Sequence, residues 1–363
     1  MPRAEARVDL AAVQANVARL RAHLGPSTAL CAVVKADGYG HGAVPCARAA
    51  LAGGAARVAV VTGTEAQRLR EGGIEAPIIA FGALDDEELD RALDAGAEIA
   101  AWSTRFLRRL GDRDARVHVK LDTGMGRLGT RDPRRADEVV EALGERAVGL
   151  WTHFATADER GDRFFGEQLE RFRAWALPHK ERRPELILHA ANSAATLREP
   201  ASHFDMVRCG IAIYGLDPFG EDPAGHGLRP ALTLRSYVAT VKRCEPGQSA
   251  GYGRTFVADE PTRLATLPIG YGDGWRRALS NNSDVVIRGR RYPVAGTISM
   301  DNLTVDVGLD SDVEPGDEAT LIGDGILAEE VARRIGTINY EITCGLLPRT
   351  RRAYVRDGEP ARE

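Results

Sequence analysis

Short apolar runs alternate with amphipathic stretches through the first two-thirds of the chain. The runs are rich in β-branched residues and read as strands over Thr28–Lys35, Val58–Thr62, Pro77–Phe81, Glu98–Trp102, Arg116–Leu121, Val148–Phe154, Leu186–Ala190 and Met206–Tyr214. Between them, Thr64–Glu71, Asp85–Ala95, Ser103–Leu110, Pro133–Leu143 and Arg163–Lys180 carry helical amphipathicity. Eight strand–helix units in series predict a (β/α)8 barrel of the TIM type rather than an open sheet. After about residue 230 helical stretches become rare. Strand-like runs then dominate, over Leu232–Val241, Thr262–Pro268, Asp284–Ile287, Arg291–Ile298, Asn302–Val307 and Glu318–Ile322, with one short helix expected over Leu327–Ile335. The fold class is therefore α/β: a barrel over residues 1–230, followed by a mainly β C-terminal domain over residues 231–363. Roughly the first ten residues are a candidate to pack against that second domain.

Length agrees with two domains, since 363 residues exceed what one core usually holds. A net charge of −4 with no basic stripe argues against nucleic acid as a partner. The Arg pairs Arg108-Arg109, Arg134-Arg135 and Arg182-Arg183 fall in charge-mixed helical stretches and read as solvated faces. Five scattered cysteines, with no Cys-x-x-Cys pair, suit free thiols in a reducing cytoplasm. The opening residues do not read as a secretory signal, and no stretch is long and apolar enough to span a membrane.

The chemistry concentrates at predicted strand ends. The run Ala32-Val33-Val34-Lys35-Ala36-Asp37-Gly38-Tyr39-Gly40-His41-Gly42 ends an apolar strand in one lysine, and burying an ammonium there is costly without a reason. Two readings stay open on the strand alone: a lysine at the solvent end of a Gly-rich turn, or a Schiff-base lysine holding an aldehyde cofactor. In a barrel the C-terminal strand ends share one mouth. Lys35 closes the first strand and Lys120 the fifth, with Arg127 just beyond. His153 closes the sixth, His189, Asn192 and Ser193 the seventh, and Arg208, Gly210 and Ile211 belong to the eighth. Such a basic and hydroxylic set converging on one mouth is a site with geometry behind it. Three spots in the β-rich part stand out: Tyr252 and Tyr271, each between glycines, and Ser299-Met300-Asp301 at a strand end. Taken singly, they read as tight turns with aromatic plugs.

Together these segments resemble the alanine racemase family, enzymes of fold-type III that use pyridoxal 5′-phosphate (PLP). The Lys35 run resembles that family's cofactor-lysine motif. Further matches are Lys120-Leu121-Asp122-Thr123-Gly124-Met125-Gly126-Arg127, Thr152-His153-Phe154-Ala155, Ala191-Asn192-Ser193-Ala194, Val207-Arg208-Cys209-Gly210-Ile211, Gly251-Tyr252-Gly253, Gly270-Tyr271-Gly272-Asp273, Ser299-Met300-Asp301 and Ile338-Asn339-Tyr340-Glu341. They run in order across nearly the whole chain. Asp37 and Gly38 stand where many relatives carry Asn and Ala, and Cys209 where Pro is frequent.

The resemblance implies an isomerase interconverting L- and D-alanine by two-base proton transfer on a PLP aldimine, supplying D-alanine for peptidoglycan. It implies Lys35 and Tyr252 as the two catalytic bases on opposite faces of the adduct, with Lys35 serving the D-side proton. A phenol is a weak base at neutral pH, so a cation or donor must favour its ionised form. The family pattern points to His153 and Arg208 as a chain reaching Tyr252, and a merely satisfied histidine under the ring remains equally open. Arg208 would sit on the PLP ring nitrogen, where a guanidinium can only donate and so keeps that nitrogen unprotonated. Tyr39, Asn192, Ser193, Gly210, Ile211 and Tyr340 would complete the cofactor site, several of them at the phosphate. Arg127 and the Met300 amide would bind the substrate carboxylate. Tyr271 and Asp301 resemble gate residues, and Lys120 and His189 stand behind the site. Lys120 is either carbamylated, to orient Arg127, or an unmodified lysine paired with an acid. No metal is implied. Because Lys35 and Tyr252 belong to different domains, the resemblance implies a head-to-tail homodimer with shared sites, in the cytoplasm. Three other readings compete. A PLP-binding homeostasis protein would lack the β domain and Tyr252. A fold-type III decarboxylase would use a late cysteine, for which only Cys344 is available. A racemase for another amino acid differs only at the gate.

Overall fold

The eight expected barrel strands are present in the structure, a computed structural model that describes residues 2–361. A first strand, β1 (Glu5–Asp9), precedes them. The barrel strands are β2 (Ala29–Val33), β3 (Arg57–Val60), β4 (Ile78–Ala80), β5 (Glu98–Ala101), β6 (Val117–Lys120), β7 (Ala147–Trp151), β8 (Ile187–His189) and β9 (Met206–Cys209). They pair in parallel in the order β8-β7-β6-β5-β4-β3-β2-β9. The ends meet through Asp205 N–H donating to Leu188 O (3.1 Å) and Arg208 N–H to Ala191 O (2.9 Å), which closes the barrel. Near-continuous apolar sequence forms these strands because both faces are covered, by the interior and by the helices. The helices start where side chains cap them. Thr62 and Glu65 form a capping box before Gly63–Glu71, Asp85 caps Asp86–Asp94, and Asp132 with Pro133 opens Pro133–Leu143.

All eight barrel strands stop earlier than the apolar pattern suggests, and at two of them, both at the site, the local backbone gives the cause. β2 ends at Val33, not Lys35, because residues 36–39 turn left-handed. β9 ends at Cys209, not Tyr214, because Gly210 leaves the strand and Ile211–Tyr214 forms a 3-10 turn.

The β-rich remainder builds two main sheets. In the larger, β1 runs antiparallel to Leu232–Tyr237 and parallel to Arg351–Arg356. The smaller holds Thr240–Cys244, Thr262–Leu267 and Leu303–Asp306. The single strand expected over Leu232–Val241 is thus two strands in different sheets, split where Val238 N–H bonds Asp317 O and Ala239 N–H bonds Thr266 O. The strand expected over Arg291–Ile298 spans Arg290–Pro293 only, and Gly296 turns the chain at φ +86°. Helices Ala328–Arg334 and Asn339–Cys344 follow, the second unforeseen.

Candidate active site

The C-terminal strand ends open into a cavity of about 660 Å³. Lys35, Tyr39, Lys120, Arg127, His153, Asn192, Ser193, Arg208, Gly210, Ile211 and Tyr340 all line it, with Phe81, Trp151 and Leu128 as apolar wall.

Lys35 sits at the start of an unusual turn. Ala36, Asp37, Gly38 and Tyr39 all have φ between +50° and +62°, and three of them are not glycine. A left-handed residue other than glycine costs about 1–2 kcal/mol. Carboxylates hold the turn: Glu65 accepts from Ala36 N–H (2.7 Å) and Asp37 from Ala43 N–H (3.0 Å). Partial burial, then the Arg127 cation, lowers the Lys35 pKa, so a larger share of its amine is free at a given pH.

Arg208 is buried, and burial brings its pKa down to about 10, which leaves it charged at neutral pH. One terminal nitrogen donates to His189 Nδ1 (3.1 Å); the other donates to Thr152 O (2.9 Å), Ala190 O (3.0 Å) and His153 Nδ1 (3.1 Å). A guanidinium has no acceptor, so both histidines must accept. His189 then carries its proton on Nε2 and donates to His118 Nδ1 (2.9 Å), and His118 donates from Nε2 to Glu98 (2.8 Å). Burial, with the Arg208 cation close to both, keeps His153 and His189 neutral. Burial pushes the Glu98 carboxyl up, but His118, Arg116 and Arg57 outweigh it and hold Glu98 ionised. Every proton in the relay Arg208–His189–His118–Glu98 therefore points the same way. The Arg208 Nε makes no hydrogen bond among the described residues, which leaves that donor uncommitted, and Arg208 lines the cavity.

Also in the lining, Ser193 Oγ accepts from Gly210 N–H (3.0 Å) and Ala212 N–H (3.4 Å), and Asn192 caps Ser193–Arg198. A Cβ on Gly210 would lie 2.3 Å from the Tyr39 hydroxyl, so that position requires glycine. Tyr39 and Tyr340 stand with ring centroids 6.0 Å apart, and burial keeps both phenols protonated.

Lys120 is buried, with its Nζ 4.3 Å from the Trp151 ring centroid. Burial, then Arg127 and Arg208, lowers its pKa to about 7. Asp122, two residues on, is committed to Gly124 N–H, Gly126 N–H and Arg131, and Lys120 has no carboxylate partner within 4.0 Å among the described residues. Arg127 is exposed at the mouth with no hydrogen bond among the described residues.

Both parts of the chain match one family. Residues 8–218 match the family model "Alanine racemase, N-terminal domain" and residues 231–354 match "Alanine racemase, C-terminal domain". The chain belongs to the alanine racemase family. The alanine racemase of Symbiobacterium thermophilum is 43% identical over 96% of both chains. Alanine racemase 1 of Bacillus subtilis is 38% identical, covering 97% of this chain and 93% of its own. The crystal structure of alanine racemase from Streptomyces lavendulae superposes with a TM-score of 0.92 at 40% identity, covering 98% of each chain.

Five residues singled out by the family resemblance do not line the cavity. Tyr252, Tyr271 and Met300 lie on the β-rich part and are exposed, Tyr252 by 74%. Asp301 is exposed there too, paired to Arg349 (2.8 Å), which also holds Asp273. His189 lies beneath the cavity rather than in its wall. Sequence reasoning missed Glu98 and His118, which complete the relay, and Glu65, Phe81 and Trp151. A usable signal existed for His118: it sits two positions before Lys120 in β6, hence on the same face.

Proposed function

We propose that this chain interconverts L- and D-alanine with PLP held at Lys35, and that the second acid–base group is Tyr252 from another copy of the chain. We read residues 1–230 and 231–363 as its barrel and β domains. Among the described residues no helix is long and apolar enough to cross a membrane. A cytoplasmic role supplying D-alanine to peptidoglycan fits the family and the five free cysteines.

The residues present fit the cofactor. The cavity offers a lysine with lowered basicity, an uncommitted Arg208 Nε, and the Ser193–Gly210 corner with Tyr39 and Tyr340 close by for a phosphate. When bound, PLP supplies an electron sink that acidifies the α-proton of an amino acid. Arg208 would donate Nε–H to the ring nitrogen and, having no lone pair to accept a hydrogen bond from a protonated nitrogen, would keep that nitrogen deprotonated. Ser193 and the amides near Gly210 would hold the phosphate, while Arg127 would fix the substrate carboxylate with its planar fork. Lys35 Nζ would take or return the α-proton from one side. The Tyr252 hydroxyl would do so from the other. His153, neutral and carrying its proton on Nε2, would share a hydrogen bond with that tyrosine. Lys120, with a pKa near neutrality and no acidic partner, is suited to reversible carbamylation, and the new carboxylate would orient Arg127.

The observation that carries this reading is the convergence of Lys35, Arg127 and the relay-held Arg208 on one cavity. The deciding experiment treats the purified protein with borohydride and follows D- and L-alanine by optical rotation. Reduction should fix the cofactor on Lys35 and abolish interconversion. Absence of interconversion before reduction, or fixation at another lysine, would refute the proposal.

A further inference from the structure

We propose that a second cleft, away from the barrel mouth, binds a multiply charged organic phosphate of nucleotide size. It lies beside the strand Arg351–Arg356, between β1 and the helix Ala43–Ala52, and encloses about 860 Å³. None of its lining residues belongs to the Lys35 cavity.

Among the described residues, six arginines line this cleft against one carboxylate, Glu5. Glu5 is committed to Arg235 at 3.0 Å. Arg352 spends its donors on the carbonyls of Gly40, Leu346, Leu347 and Thr350, so it serves the fold. Arg7, Arg48, Arg351 and Arg356 remain, and among the described residues none has a carboxylate within 4.0 Å. Arg7, Arg48 and Arg356 each donate one hydrogen bond to a neutral acceptor, namely Gly358 O, Gly72 O (2.7 Å) and Gln14 Oε1 (2.9 Å). Arg351 makes none. On a chain whose net charge is −4, four uncompensated guanidinium groups in one concavity repel each other unless an anion joins them. Their planar forks match phosphate oxygens two at a time. The cleft also has an apolar side in Leu10, Pro45 and Tyr354, suited to the organic part of a ligand. Its volume falls within the range of sites for small molecules and is too small to seat a duplex backbone.

The test is calorimetric titration of the PLP-loaded protein, so that the cofactor's phosphate site is filled. Tripolyphosphate, ATP and AMP serve as probes at ~150 mM salt, where surface attraction alone is largely screened. Saturable binding with ATP tighter than both tripolyphosphate and AMP is expected. The double substitution Arg48→Ser with Arg351→Ser should weaken ATP by about tenfold or more while leaving turnover intact. Arg48→Lys with Arg351→Lys, which keeps the charge but loses the fork, should fall between. No saturable binding of ATP, or an affinity that neither double variant changes, overturns the proposal. Equal affinity for ATP and tripolyphosphate overturns the assignment of an organic ligand.

Discussion

Arg208 and His189 share a buried hydrogen bond of 3.1 Å in which only the arginine can donate. That single constraint sets the tautomer of His189 and, through it, of His118. The relay ends on Glu98, whose charge two arginines hold in place, with Arg57 at 2.6 Å and Arg116 at 2.8 Å. Arg208 is therefore a donor held in one orientation at the cavity wall, with its Nε–H uncommitted among the described residues.

Replacing that donor should change the outcome of the reaction as well as its rate. With Arg208→Glu the ring nitrogen of PLP could be protonated, which strengthens electron withdrawal and lengthens the lifetime of the deprotonated substrate. Racemisation should fall by roughly a hundredfold or more, the scale of losing a preorganised charge contact. Pyruvate formed per racemisation event should rise. Parallel assays of optical rotation and pyruvate, with cofactor absorbance as the control for folding, check this. An unchanged ratio of the two products would remove Arg208 from the argument.

The buried histidines predict an acid limit on stability. Burial takes the His41 pKa from 6.5 down to about 4, and it moves His118, His153 and His189 in the same direction. Below pH 6.5 the unfolded chain binds protons that the folded chain refuses, so stability present above 6.5 is lost as the pH falls. For the fully buried His41 alone this is worth about 3 kcal/mol once the pH reaches its folded value. Urea midpoints should drop between pH 6.5 and 4.5, above the range of ordinary carboxylates. His41→Asn should be less stable at pH 7, since it loses the stacking on Tyr214, yet it should show a shallower acid slope. Equal slopes in parent and variant would contradict the assignment.

What the sequence made legible follows from where the physics is local. Barrel strands such as Ile78–Ala80 are buried on both faces, so apolar runs mark them. Helix starts at Asp85, Ser103 and Asp132 are written in their capping side chains. Strand ends at the site were not legible. Val33 and Cys209 end their strands where the left-handed turn over residues 36–39 and the break at Gly210 begin, and the close approach of Tyr39 to Gly210 across the site is a tertiary feature that apolar periodicity does not record. The helix Asn339–Cys344 has six residues and no side-chain cap, too little for a periodic signal. The wall of the cavity was legible because reactive residues sit at strand ends. Its support was not: His118 meets His189 across 71 positions of sequence, and only the closed barrel brings them together.

Lys120 has a pKa of about 7 and no acidic partner within reach among the described residues. An amine must be neutral to add to carbon dioxide, and near pH 7 about half of this one is. Protein equilibrated with 13C-bicarbonate should show a carbamate resonance that Lys120→Met abolishes. Since no side chain among the described residues holds the Arg127 guanidinium, the same variant should lose kcat/KM by about tenfold or more through misplacement of the substrate carboxylate. Full activity in Lys120→Met, without a carbamate resonance in the parent, would leave Lys120 as an unmodified lysine under Trp151.

Tyr252 is 74% exposed and lies outside the cavity that holds Lys35. A plug would be buried, so this Gly-flanked aromatic is not one. If each catalytic centre takes Lys35 from one copy and Tyr252 from the other, two dead variants can repair each other. A Lys35→Ala chain paired with a Tyr252→Phe chain carries one site with both lesions and one with neither. Random exchange makes half the dimers mixed, so activity should return to roughly a quarter of the parent value under two-fold symmetry. Mass spectrometry of the exchanged sample confirms that mixed dimers formed. Mixed dimers that remain as inactive as either parent variant would place Lys35 and Tyr252 of one chain in the same site.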